Sequence, residues 1–330
     1  MSHFGATILG CEGLTLSAVE KAFFAEARPF AFILFSRNID TADQIRALCA
    51  ELRDAVGYDA PILIDQEGGR VQRLRPPLAQ EWLPPLDQIE RAGVNAVRSM
   101  YIRSRIQAQE LRGLGIDTNC APLVDVAVSE THPFLKNRCY GFDTKQVSDI
   151  GRAVSDGLMD GGVLPVLKHI PGHGRSLVDS HLALPTVTAD TDELVQDFAP
   201  FKALKDLPLG MTAHLVYQAI DPQPATISTK MMSIIREEIG FDGLIMTDDI
   251  SMEALDGNMT QRSAASIAAG CDVVLHCNGD LAEMRDVVAA SDIMTDRAQQ
   301  RAEVALAARQ TPKSVDIEAL NAELKSYLSG

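Results

Sequence analysis

ATILGCEGLTLS, residues 6–17, decides between two folds. It opens as a short apolar run suited to a buried strand and continues into a turn. In a doubly wound open sheet the first strand usually runs into a Gly-rich phosphate loop of the form GxGxxG. Here it runs into GCEGLTLS, which lacks that pattern. The competing arrangement for alternating strands and helices is a closed barrel.

Seven further runs of the same kind follow: AFILF (31–35), PILID (61–65), IDTNCAP (116–122), VLPVLKH (163–169), GMTAHL (210–215), GLIMTDD (243–249) and CDVVLHC (271–277). They are short and mostly apolar, as parallel strands covered on both faces are. Between them the period changes. In TADQIRALCAELRDAVG (41–57), Ile45, Leu48, Leu52 and Val56 recur at helical spacing, with Thr41 as N-cap and Gly57 as stop. Helices are also expected over 95–115, 146–162, 193–204 and 262–270, and RAQQRAEVALAARQ and DIEALNAELKSYL read as terminal helices. Eight strands within about 280 residues, each followed by a helix or long connection, predict a (β/α)8 TIM-like barrel with terminal helices. With no linker-like run and no short repeat, one catalytic domain over residues 1–330 is expected.

A formal charge of −15 argues against nucleic acid or an anionic membrane surface as partner, since both require a basic footprint. The six cysteines are scattered, without a CxxC pair, which fits reduced thiols and a cytoplasmic setting. There is no signal-peptide pattern at the start and no run of about 20 apolar residues. The sequence leaves the oligomeric state open, a monomer being compatible with it.

A barrel of this type carries its chemistry at the C-terminal ends of its strands. Polar residues gather there: Asp65-Gln66-Glu67 with Arg70, then Asp125, then Lys168-His169, His214, and Asp248-Asp249. Five such ends together read as an active-site mouth, although any one of these groups could be a buried, satisfied polar residue. The loop KHIPGHGRSLVDSH (168–181) holds three of the seven histidines. A metal reading would use His169, His173 and His181. Pro171, Gly172 and Gly174 make the segment a loop, so the His pair gains nothing from helical spacing. In Asp179-Ser180-His181 a curled loop would let the carboxylate orient the imidazole for proton transfer. Of Asp248 and Asp249, one is expected to face the mouth and the other to pack away or cap the next segment.

The stretches IDQEGGRVQRL (64–74), NRCYG (137–141), KHIPGHG with DSH (168–181), TAHLVY (212–217) and FDGLIMTDDISMEAL (241–255) resemble, in order, those of the cytoplasmic β-N-acetylglucosaminidases of glycoside hydrolase family 3. The resemblance implies Asp248 as nucleophile of a covalent glycosyl-enzyme and His181 as general acid/base with Asp179 as its partner. It implies Asp65, Arg73, Arg138, Lys168 and His169 as binders of N-acetylglucosamine. Asp125 and His214 are expected to line the same mouth, and His173 to shape the loop. The chain departs from the family's habit at Cys139, Ile170 and Thr212, none of which removes a group from that chemistry. Only about 50 residues follow the eighth strand, too few for the second α/β domain of many relatives. The implied substrate is a carbohydrate, N-acetylglucosamine joined to anhydro-N-acetylmuramic acid with or without a peptide; no cofactor or metal is implied. Phosphorolysis, a substrate-assisted hexosaminidase, a metal-dependent amidohydrolase and a non-catalytic sugar-binding barrel are the rival readings.

Overall fold

Alternation of inward and outward side chains along eight short parallel strands builds the centre of the molecule. The structure is a computed structural model and describes residues 3–177 and 184–329. The strands are β1 (Gly5–Gly10), β2 (Pro29–Leu34), β3 (Ile62–Ile64), β4 (Thr118–Asn119), β5 (Leu164–Ile170), β6 (Leu209–Thr212), β7 (Leu244–Met246) and β8 (Val274–His276). From β1 to β7 each strand pairs in parallel with the next, and β8 pairs with β1. A parallel bridge from Met246 to Val273 joins the remaining edges, so the sheet closes into the expected barrel.

The period of two is visible in the packing. Ile8, Ile33, Leu63, Leu164, Val166, Met211, Leu244 and Met246 belong to the cluster inside the barrel. Leu9, Leu34, Ile62, Ile64, Leu167 and Ile245 belong to the larger cluster under the surrounding helices. Extending the inward sets by two places brings Leu63 to Asp65, Val166 to Lys168 and Met246 to Asp248. The apolar interior thus ends in three charged groups at one mouth.

β4 is shorter than the sequence suggests because Pro122 has no N–H for the ladder. Its edge still accepts: Val166 and Lys168 donate their backbone N–H groups to the carbonyls of Ala121 and Pro122. The helix expected from residue 41 runs from Ala42 to Val56; the Thr41 hydroxyl accepts from Gln44 N–H and Gly57 ends it at φ 73°. Of the terminal helices, Asp296–Ala307 places Ala298, Ala302 and Ala305 in the barrel's interior cluster. Ile317–Leu328 packs Leu320 and Leu324 with Trp82, Ile102 and Ile106. The six cysteines are free and buried. No helix among the described residues is long and apolar enough to cross a membrane.

One feature escaped the sequence. Thr186–Val187, Val216–Tyr217 and Asp221–Pro224 form a small sheet beside the mouth. Val216 N–H donates to Pro185 O, and Tyr217 hydroxyl donates to Gly172 O. Arg175 Nε donates to Asp197 at 2.7 Å. Both described stems of the loop after β5 are therefore tied to the barrel.

Candidate active site

A cavity of about 370 Å³ opens at the strand ends. Asp65, Arg73, Arg138, Lys168, His169 and Asp248 all line it, so six of the expected site residues come together there. Asp179 and His181 lie outside the described residues.

The floor is an ionic network. Lys168 Nζ forms an ion pair with Glu67 Oε1 at 2.7 Å and donates to Asp65 Oδ1 at 3.1 Å. Arg138 holds both oxygens of Glu67, at 2.8 and 2.9 Å, and Arg73 donates to Asp65 Oδ2 at 2.9 Å. Burial opposes ionisation of both carboxyls, but the adjoining cations outweigh it. Asp65 is held well below the usual carboxylate range, and Glu67 is lowered to about 2. Despite its own burial, Lys168 is raised above the usual lysine value by Glu67 and Asp65. Among the described residues Arg73 Nε is buried without a hydrogen-bond partner, so the network keeps a donor to offer.

Glu67 is the residue the sequence reading left unassigned. A count of charges offers a signal for it, because Arg73, Arg138 and Lys168 are three cations expected at one mouth and need buried acids to balance them. The network also makes a stability prediction. Folded-state pKa values below the ordinary 3.8 and 4.5 mean that the carboxylates stabilise the fold above that range. That contribution is lost as pH falls through it towards 2. Denaturant melts at about pH 7 and about pH 3 should show lower stability in acid, with a smaller difference in Glu67→Gln. An identical pH dependence in that variant would contradict the assignment.

Asp125 corrects one expectation: it lies behind the cavity wall, fully buried, instead of lining the mouth. Its Oδ2 accepts from His169 Nδ1 at 2.8 Å, and its Oδ1 from the backbone N–H of His173 at 2.7 Å. Burial would raise its pKa, but His169 and these donors hold it down. With Nδ1 committed to Asp125, Nε2 is the His169 nitrogen without a partner among the described residues. His173 shapes the loop through its N–H, yet its ring also lines the cavity. Burial first, and His169 second, lower it to about 4, so it is neutral near pH 7 and a poor proton donor there.

His214 is the second correction. It is buried behind Asp249, with Nε2 donating to Asp249 O at 3.0 Å. Burial lowers its pKa. Its Nδ1 is hydrogen-bonded with Thr226 Oγ1 at 2.8 Å. It therefore positions the turn after β7 without lining the cavity.

The two carboxylates of that turn divide as expected in one respect. Asp249 accepts from Ser251 N–H at 3.1 Å, Ser251 Oγ at 2.7 Å and Cys277 N–H at 3.2 Å, so it caps the following turn. Asp248 accepts at Oδ1 from Asp249 N–H at 2.8 Å, and its Oδ2 has no hydrogen-bond partner among the described residues. Burial opposes its ionisation; His169, His214, the Asp249 N–H and Lys168 together bring its pKa below the ordinary value. The cavity thus presents an ionised carboxylate with one free oxygen, opposite fixed hydrogen-bond donors. Among the described residues no group of three or more His, Cys, Asp or Glu is placed to hold a metal ion.

Residues 15–307 match the Glycosyl hydrolase family 3 N terminal domain. The chain belongs to glycoside hydrolase family 3. Among family-3 relatives, the beta-hexosaminidase of Methylococcus capsulatus is 37% identical over 273 residues, covering 81% of this chain and 80% of the relative. The beta-hexosaminidase of Bordetella pertussis is 34% identical, covering 84% and 82%. Among solved structures, NagZ from Neisseria gonorrhoeae in complex with N-trifluoroacetyl-D-glucosamine superposes with a TM-score of 0.86 at 28% identity, over 99% of this chain and 98% of that one. A beta-N-acetylhexosaminidase from Beutenbergia cavernae gives 0.78 at 28% identity, over 91% and 96%. As a family-3 glycoside hydrolase, the chain carries its motifs on the same barrel as these enzymes.

Proposed function

We propose that this chain is a retaining exo-β-N-acetylglucosaminidase. It would remove terminal β-linked N-acetylglucosamine from anhydro-N-acetylmuramic acid and its peptides during cytoplasmic cell-wall recycling. The observation that carries the reading is Asp248, ionised and with Oδ2 unpartnered among the described residues, at the end of β7 in a cavity lined with donors. Relatives called beta-hexosaminidase, and a structural neighbour holding an acylated glucosamine, support the sugar.

In the first step Asp248 Oδ2 attacks the anomeric carbon while a proton passes to the departing oxygen. His181, oriented by Asp179, is the proposed donor. In the second step His181 takes a proton from water, which attacks the same carbon and releases Asp248. Arg73, Arg138, Lys168 and His169 bind sugar hydroxyls, and Asp65 both anchors the cations and accepts from a hydroxyl. His169 and Lys168 also keep the nucleophile ionised.

The test is release of p-nitrophenol from its β-N-acetylglucosaminide, followed by trapping with an activated 2-deoxy-2-fluoro glycoside. The expected result is activity indifferent to EDTA and a label on the peptide holding Asp248. A substrate-assisted enzyme would give no label, and sensitivity to EDTA would indicate a metal. Product analysis with added phosphate separates hydrolysis from phosphorolysis. His181→Ala is expected to lose about 100-fold or more on an unactivated disaccharide and clearly less on the nitrophenyl substrate. Equal losses on both would remove His181 from the acid role.

A further inference from the structure

Beyond the groups that hold the terminal sugar, the outer wall of the cavity carries an unused cation. Arg70 is exposed, on the turn between the short strands Gln66–Gly68 and Val71–Gln72, and it lines the cavity. Its guanidinium carbon lies 3.5 Å from the centroid of the Phe134 ring. Stacking uses the face of the guanidinium and leaves its in-plane N–H fork free. Among the described residues Arg70 has neither a hydrogen bond nor a carboxylate partner, whereas Arg73 and Arg138, deeper in the same cavity, are both paired. A second donor stands on this wall. His132 Nδ1 accepts from Phe134 N–H at 3.2 Å, which leaves its proton on Nε2, and the ring lines the cavity.

A terminal sugar attacked by Asp248 occupies the floor, so the leaving group extends towards the open side where Arg70 and His132 stand. Resting on the glycosidase reading, we infer that Arg70, held by Phe134 and assisted by His132, binds a carboxylate on the sugar unit that leaves. The fork of an arginine fits the two oxygens of a carboxylate, and the fixed stack lowers the entropy lost on binding. The site therefore selects acidic over neutral leaving sugars.

The experiment compares kcat/KM for three disaccharides with the same β-1,4 link: N-acetylglucosaminyl-N-acetylmuramic acid, its methyl ester, and N,N′-diacetylchitobiose. The acid carries a lactyl carboxylate, the ester the same bulk without charge, and chitobiose neither. The wild type is expected to prefer the acid to the ester by about tenfold, less at high salt. Arg70→Gln should reduce that ratio to near one, and Arg70→Lys should leave it between. An acid-to-ester ratio that is one in the wild type, or unchanged in Arg70→Gln, overturns the inference. If Arg70→Gln instead alters only the yield of sugar phosphate in added phosphate, the anion is the acceptor and the inference is again overturned. Failure of the wild type on all three disaccharides and on the nitrophenyl substrate would instead defeat the glycosidase reading beneath it.

Discussion

Replacing Asp248 with alanine is expected to lower kcat/KM on the nitrophenyl substrate by on the order of 10⁴-fold, with the folded state preserved. The size follows from the absence of a substitute. Asp249 is adjacent, but both its oxygens are committed to Ser251 and Cys277. Asp65 and Glu67 are tied into the cation network on the floor. With the carboxylate gone, the anomeric carbon loses its attacking atom and the nearby positive charge loses its partner. A small nucleophile such as azide should restore part of the rate in Asp248→Ala with an activated leaving group, giving a glycosyl azide of inverted configuration. Asp249→Asn serves as the contrast. Its amide oxygen can still accept from the two backbone donors, and the Ser251 hydroxyl can turn to accept, so a loss within about tenfold is expected. If Asp249→Asn lost as much as Asp248→Ala, or if Asp248→Ala kept a tenth of the rate, the nucleophile would be misassigned.

The residues that were legible in the sequence share a physical reason. Strand period and the rule of C-terminal chemistry fix direction where a side chain continues an inward apolar series, as Lys168 continues Leu164 and Val166. Asp65 and Asp248 follow from the same extension. Beyond the last paired residue the backbone turns and the period stops informing. That is why Asp125 and His214 read as lining residues, although one holds His169 and the other holds the turn of Asp249. Arg70 was legible at the mouth, but its pairing with Phe134 was not, for a related reason. Arg70 and Phe134 are brought together by a turn and a four-residue helix, Pro133–Lys136, 64 positions apart in sequence, and neither belongs to a long periodic segment. The small sheet beside the mouth was missed because its strands are two to four residues long and carry Pro185, Pro222 and Pro224 within or beside them.

Glu67→Ala carries the largest expected effect on stability. The side chain is buried, and its removal leaves Arg138 without its bidentate partner and Lys168 with Asp65 alone. Unpairing buried charges in this way costs about 3–5 kcal/mol. For a chain of 330 residues, that corresponds to a fall in Tm of roughly 4–7 °C. Activity should fall as well, because Lys168 Nζ would lose the shorter of its two anchors and the remaining donors would lose their aim at the sugar. Glu67→Gln keeps the shape and one acceptor oxygen, so it should lie between alanine and wild type in Tm. An apolar floor could be as stable as this network, since burying charge is costly even when it is paired. What an apolar floor could not offer is fixed donors beside an ionised Asp248, which is the physical reason to expect the network here. Thermal melts and kcat measured on the same Glu67→Ala preparation decide the matter. A melting temperature within a degree of wild type, with kcat unchanged, would mean that Glu67 is not the counterion that holds those donors.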